Sequence, residues 1–93
     1  MSLYDIAERL YIEEKYEEAI EYFKQSLETY LKVINMIPND TEIRNMIANC
    51  YSELKQYNEC LHWLQDILRL DHYNKEAIEH MKALERFRNN SKS

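Results

Sequence analysis

Glycine is absent from this 93-residue sequence, and proline occurs once, as Pro38. A chain without glycine cannot build the glycine-rich loop that wraps backbone N–H groups around a phosphate. It also lacks the residue that enters the left-handed backbone region without steric cost. Turns of that kind are therefore expected to fall to Asn or Asp, or not to form. Cysteine is scarce too: Cys50 and Cys60 stand ten residues apart in segments that read as helix. Two such cysteines make no disulfide framework, and the expectation is a pair of reduced, buried thiols in a cytoplasmic protein. No apolar run approaches the ~18 residues that a membrane span requires. The residues behind Met1 do not form the apolar core of a secretory leader. A membrane is thus not an expected partner.

Positive charge is sparse in one half. The net charge is -5, and residues 1–40 carry nine acids against Arg9, Lys15, Lys24 and Lys32, whereas residues 41–93 balance at eight of each sign. Phosphate backbones are bound through basic patches, and only the short stretch Arg86–Lys92 offers one, so nucleic acid is excluded as the expected partner.

What the chain does have is apolar and aromatic mass: 45% hydrophobic residues, including eight Tyr and one Trp. Long helices joined by short polar connections suit this composition, and about five are readable from their periodicity. Ser2-Leu3-Tyr4-Asp5 has the form of a capping box with Asp in the place of Glu, followed by a stripe of Leu3, Ile6, Ala7 and Leu10. Glu13-Glu14-Lys15 marks a turn. A second stripe, Ala19, Ile20, Phe23, Leu27, Tyr30, Leu31 and Ile34, runs from Tyr16 toward Ile37 and ends before Pro38. Asn39-Asp40-Thr41 then starts a third helix through Ile43, Ile47, Ala48 and Tyr51, which yields near Lys55-Gln56. The fourth spans about 58–70 through Leu61, Leu64, Ile67 and Leu68. After Asp71-His72-Tyr73-Asn74, the last covers about 75–88 with Ile78, Met81, Ala83 and Leu84 apolar, and 89–93 is expected to fray.

The segment LYIEEKYEEAIEYF (residues 10–23) aligns with YSELKQYNECLHWL (residues 51–64). Tyr16 pairs with Tyr57, Ala19 with Cys60, Ile20 with Leu61 and Phe23 with Leu64; upstream, Ile6-Ala7 pairs with Ile47-Ala48. The small residue recurs where two helices must come close. Repetition of a helix–turn–helix unit is more specific than helical periodicity alone.

On these residues the chain resembles the tetratricopeptide repeat family. Residues 41–74 look like one complete repeat of about 34 residues, with Ile47-Ala48, Tyr51, Tyr57, Cys60, Leu64 and Leu68 at the motif's large, small and aromatic places. Arg44 stands where the family usually has an apolar residue or Trp, and His72 where Pro is common. Residues 1–40 resemble a first repeat extended by seven residues in its second helix. The resemblance implies an all-α fold of antiparallel helical hairpins in a right-handed superhelix. It implies a single domain over 1–88, comprising repeat one (1–40), repeat two (41–74) and a capping helix (75–88). The extended second helix, with Cys50-Tyr51-Ser52-Glu53-Leu54-Lys55-Gln56-Tyr57, is also similar to the repeats of immunophilin-type co-chaperones.

Such a fold lines a concave groove with the first helix of each pair. Carried over, the groove positions are Tyr4, Asp5, Glu8, Tyr11 and Ile12; then Glu42, Asn45, Met46, Asn49 and Glu53; then Glu76, Glu79, His80 and Phe87. Co-chaperone members clamp an acidic tail there with Lys, Asn and Arg. Here the corresponding places hold Tyr4 and Glu8, Met46, and Glu76 with His80, so an acidic tail meets like charge. The expected partner is a protein or peptide segment with basic or aromatic groups, bound through Tyr4, Glu8, Tyr11, Glu42, Asn45, Met46, Asn49 and His80. The same acids also read as ordinary solvated helix faces. The alternative function is that of an assembly subunit, a homo-oligomer included, joined through Tyr30, Val33, Ile34 and Met36 of the extension or through the terminal surfaces.

Catalysis and cofactors are not expected. Cys60 and His62 point in different directions on one helix, and His72 with His80 lacks a third ligand, so no metal set is readable. Cys50 has no base beside it in sequence. Glu13-Glu14 and Glu17-Glu18 lie about a turn, where nothing separates their pKa values as acid–base chemistry requires. Trp63 reads as a packing residue, set against a neighbouring helix or the extension.

Overall fold

The computed structural model describes residues 2–33 and 40–91, which form five helices: α1 (Leu3–Ile12), α2 (Tyr16–Val33), α3 (Asp40–Glu53), α4 (Tyr57–Leu70) and α5 (Lys75–Ser91). The fold is all-α. Helices α1 and α2 form one antiparallel pair and α3 and α4 another, with α3 packed on α2 and α5 on α4. The expected course of the second helix through Ile34, Met36 and Ile37 to Pro38 lies outside the described residues.

The first helix starts as its sequence predicts. The Ser2 side chain accepts from the Asp5 amide at 3.1 Å, and Asp5 accepts from the Ser2 amide at 3.4 Å, so two orphan donors are satisfied reciprocally. The α1–α2 and α3–α4 turns are closed by the same device. Lys15 N–H donates to Leu10 O at 2.8 Å and Glu14 N–H to Tyr11 O at 3.0 Å; Gln56 N–H donates to Tyr51 O at 2.9 Å and Lys55 N–H to Ser52 O at 3.0 Å. These are paired Schellman closures, which require a left-handed residue one place past the cap. Glu14 and Lys55 supply it, each with φ of 62°. The expectation that Asn or Asp would take any positive-φ position is therefore wrong. The turn occurs at a fixed point of the repeat, and long, solvated side chains occupy it because glycine is absent.

Helix α5 starts where expected, at Lys75, and differs from its expected course at its far end. Its start is fixed by Asn74, whose Oδ1 accepts from the Ala77 amide at 3.0 Å while Asn74 N–H closes onto Asp71 O at 3.2 Å. Its buried small residue is Ala77, and Ala83 is exposed. The helix continues to Ser91 rather than stopping at 88, since no residue between 88 and 91 breaks a helix.

The core runs through all five helices. Phe23, Ile47, Leu64 and Ile67 are fully enclosed, and Ala7, Ala19, Ala48, Cys60 and Ala77 have no exposed surface. Each small residue lets two helix axes approach without displacing a large neighbour. The departure at Arg44 has a physical counterpart. Its guanidinium lies 5.9 Å from the Trp63 ring centroid, and its Nε is 3.4 Å from Asp40 Oδ2. Lys24 Nζ lies 5.9 Å from the same ring, and it donates to the Tyr51 hydroxyl at 2.8 Å. Trp63 on α4 thus packs under side chains from α2 and α3, where cation–π attraction replaces an apolar contact.

Candidate functional site

Helices α1, α3 and α5 face a common cleft of about 460 Å³. Residues Asn45, Asn49, Ser52 and Glu53 fall on one stripe of α3 because they recur at helical spacing. Tyr11 enters from α1, and Glu76, Glu79 and His80 from the first half of α5. A smaller cleft of about 340 Å³ adjoins it, sharing Asn45 and Glu76 and adding Thr41, Glu42, Asn74 and Lys75.

Of the eight expected site residues, Tyr11, Asn45, Asn49 and His80 converge on the main cleft, and Glu42 lines its neighbour. Tyr4 and Glu8 line neither cleft. Tyr4 instead packs edge-on against Phe23, with ring centroids 5.5 Å apart. Burial, then the negative charges of Glu42 and Glu8, a hydrogen bond with Glu42 and the charge of Asp5 push its hydroxyl up to about 12. It is a protonated donor at any ordinary pH. Met46 packs against the core and lines neither cleft. Phe87 lines neither of these clefts and packs 5.1 Å from the Tyr57 ring, in a cleft of about 700 Å³ between α4 and α5. Seven residues bring a helix back to within about 20° of the same face, so both His80 and Phe87 reach α4, one at Cys60 and the other at Tyr57.

Tyr11 stacks edge-on with Tyr16 at 5.4 Å, and burial followed by the Glu53 charge raises its pKa. Ser52 is the lining residue that the sequence map omitted; its spacing of three from Asn49 is the signal that could have found it. Asn45 is 6% exposed and is the buried polar side chain among the described residues. Its Nδ2 donates to Asn74 Oδ1 at 3.5 Å, tying α3 to the cap of α5.

Behind the cleft, His80 Nε2 lies 3.7 Å from Cys60 Sγ. Sequence spacing cannot reveal that contact, which joins α4 to α5 across a turn. It has the composition of a nucleophile–base pair but the opposite electrostatics. Burial pushes the Cys60 thiol up to about 11 and lowers the His80 pKa, so both groups are held neutral. An activated cysteine needs its thiolate stabilised. Cys50 is pushed up to about 12, by burial first and then by the Glu53 charge, and both cysteines are free and buried. Among the described residues no group of three or more His, Cys, Asp or Glu could hold a metal ion, and no helix is long and apolar enough to cross a membrane.

Stacked antiparallel helix pairs with a cleft lined by alternate helices define a helical-repeat scaffold. The tetratricopeptide repeat profile matches residues 10–85, most of the chain, and the protein belongs to that family. No curated protein and no solved structure matches it.

Proposed function

We propose that the protein is a protein–protein interaction module that takes a peptide segment of a partner in the cleft between α1, α3 and α5. The observation that carries this reading is the lining itself. Glu53, Glu76 and Glu79 contribute three carboxylates, Tyr11, Asn45, Asn49, Ser52 and His80 contribute neutral polar groups, and among the described residues no Lys or Arg lines the cleft. A basic or donor-rich segment complements such a surface, and an acidic tail of the kind taken by co-chaperones is repelled. Tyr4, Glu8, Glu42 and Met46 belong to this reading as the flank of the same helix layer. So does the division into a long first repeat (1–40), a second repeat (41–74) and a cap (75–88). A reducing, cytoplasmic setting also belongs to it, since two buried thiols persist there.

The test is capture of partners with the wild-type chain and with the Tyr11→Ala/Asn49→Ala double variant, followed by mapping of the protected face. Loss of capture with an intact helical spectrum is the expected result; undiminished capture would sink the reading. An assembly role through α2 is the second reading, favoured by Leu31, which is 49% exposed near the end of that helix. Sedimentation of the wild type and of Leu31→Lys separates the two, because only the assembly role predicts a change of mass.

A further inference from the structure

The main cleft is rich in acceptors beyond its carboxylates. Asn45 is more than nine-tenths buried, yet its one hydrogen bond among the described residues is the 3.5 Å contact from Nδ2 to Asn74, at the long limit for such a bond. Its Oδ1 has no donor among those residues. No side-chain polar atom among them is sealed from solvent without a partner, so this oxygen opens at the junction of the two clefts that Asn45 lines. A ligand N–H can reach it there, in place of the solvent it meets in the free protein. Asn49 and the carboxylates of Glu53, Glu76 and Glu79 add acceptors from both α3 and α5.

We propose that this set receives the guanidinium of an arginine side chain carried on an extended segment of a partner protein. The inference rests on the peptide-binding reading of the cleft and names its ligand. Acceptors from two helices call for donors spread over a plane. A guanidinium presents five N–H groups in a rigid fork, whereas an ammonium is a compact point charge that would satisfy one side of the cleft. His80 supports the choice, because burial keeps its imidazole neutral and able to accept, rather than adding a competing cation. The cleft continues past this cluster to Tyr11 on α1, which offers lining for the residues that flank the arginine in a segment.

Two measurements on the full chain test the proposal. In the first, acetyl-arginine methylamide, acetyl-lysine methylamide and acetyl-citrulline methylamide are titrated while amide NMR signals are followed. The arginine compound is expected to shift the side-chain amides of Asn45 and Asn49 and the backbone of 76–80, with citrulline inert and lysine weaker. In the second, a randomised peptide library is selected on the protein. Binders are expected to share an arginine whose replacement by lysine weakens them on the order of tenfold, with Glu76→Gln/Glu79→Gln weakening them by about as much. The double variant changes exposed residues, so it remains folded where an Asn45 variant could fail to fold. Cleft-binding peptides without an arginine preference, or equal shifts from arginine and citrulline, overturn the arginine assignment and leave the peptide cleft standing. Selection that yields no peptide protecting the cleft overturns the peptide reading. If the arginine compound then binds there, a guanidinium site remains without a peptide, and the proposal as stated falls.

Discussion

Glu14 and Lys55 hold φ at 62° in equivalent turns, a region where a Cβ costs an ordinary residue about 1–2 kcal/mol. Glycine removes that clash but loses more backbone freedom on folding, so Lys55→Gly is expected to stabilise by only about 0.5 kcal/mol. Lys55→Val puts a β-branched side chain in the same place and is expected to cost at least ~1 kcal/mol. Urea unfolding of the two variants checks the ordering; a valine variant as stable as the glycine variant would remove the strain argument. At the same scale, Cys50 and Cys60 are buried as neutral thiols. An aromatic disulfide reagent at pH 8 is expected to label neither within the time that titrates both in urea. Fast native labelling of Cys60 would mean that His80 activates it after all.

Among the helices, the placement of α5 decides whether the cleft exists, since Glu76, Glu79 and His80 all ride on it. Its start depends on Asn74, which caps Ala77 and receives the Asn45 amide. Asn74→Ala removes the cap and that contact together and is expected to cost about 1–2 kcal/mol. Hydrogen exchange should localise the loss to α5 and the adjoining turn of α3, whereas a uniform loss would argue that the cap does not position the helix. The small residues set the helix spacings. Ala48 and Ala77 have no exposed surface, so replacing either by Leu overfills a closed contact at an expected cost of roughly 1–3 kcal/mol. Ala83→Leu, one helical face away and exposed, serves as the control and should be nearly neutral in the same denaturation series.

For the molecule as a whole, stability is bounded on both sides of neutrality. His80 has a folded pKa below its usual 6.5, so below that value the unfolded chain takes up the proton first. Stability therefore falls as pH drops through 6.5, and His80→Gln should flatten that fall. On the alkaline side, Cys50, Cys60 and Tyr4 keep their protons in the folded state after the unfolded chain has lost them. Stability consequently declines again above about pH 9, the ordinary thiol value. Urea midpoints from pH 5 to 10 are expected to form a plateau between these limits, and a midpoint that rises from pH 7 to 5 would contradict the burial of His80.

Much of this was determined by the sequence alone. The capping box at Ser2, the turns at Glu13–Lys15 and Lys55–Gln56, and the small residues Ala7, Ala19, Ala48 and Cys60 follow from local chemistry and from a repeated pattern. Such features depend on a few neighbouring residues, so one chain suffices to read them. Tertiary structure decided which side chains meet. Tyr4 turned onto Phe23, Phe87 packed on Tyr57, and Asn45 became buried with its amide on Asn74, while Cys60 met His80. Each outcome depends on how far a helix is rotated about its own axis, and a fraction of a turn moves a side chain from cleft to core. That rotation is set by packing against helices distant in sequence, which periodicity within one helix does not encode. The absence of glycine likewise excluded a phosphate loop from the start, but only the closed turns revealed that Glu14 and Lys55 take the conformation glycine would have taken.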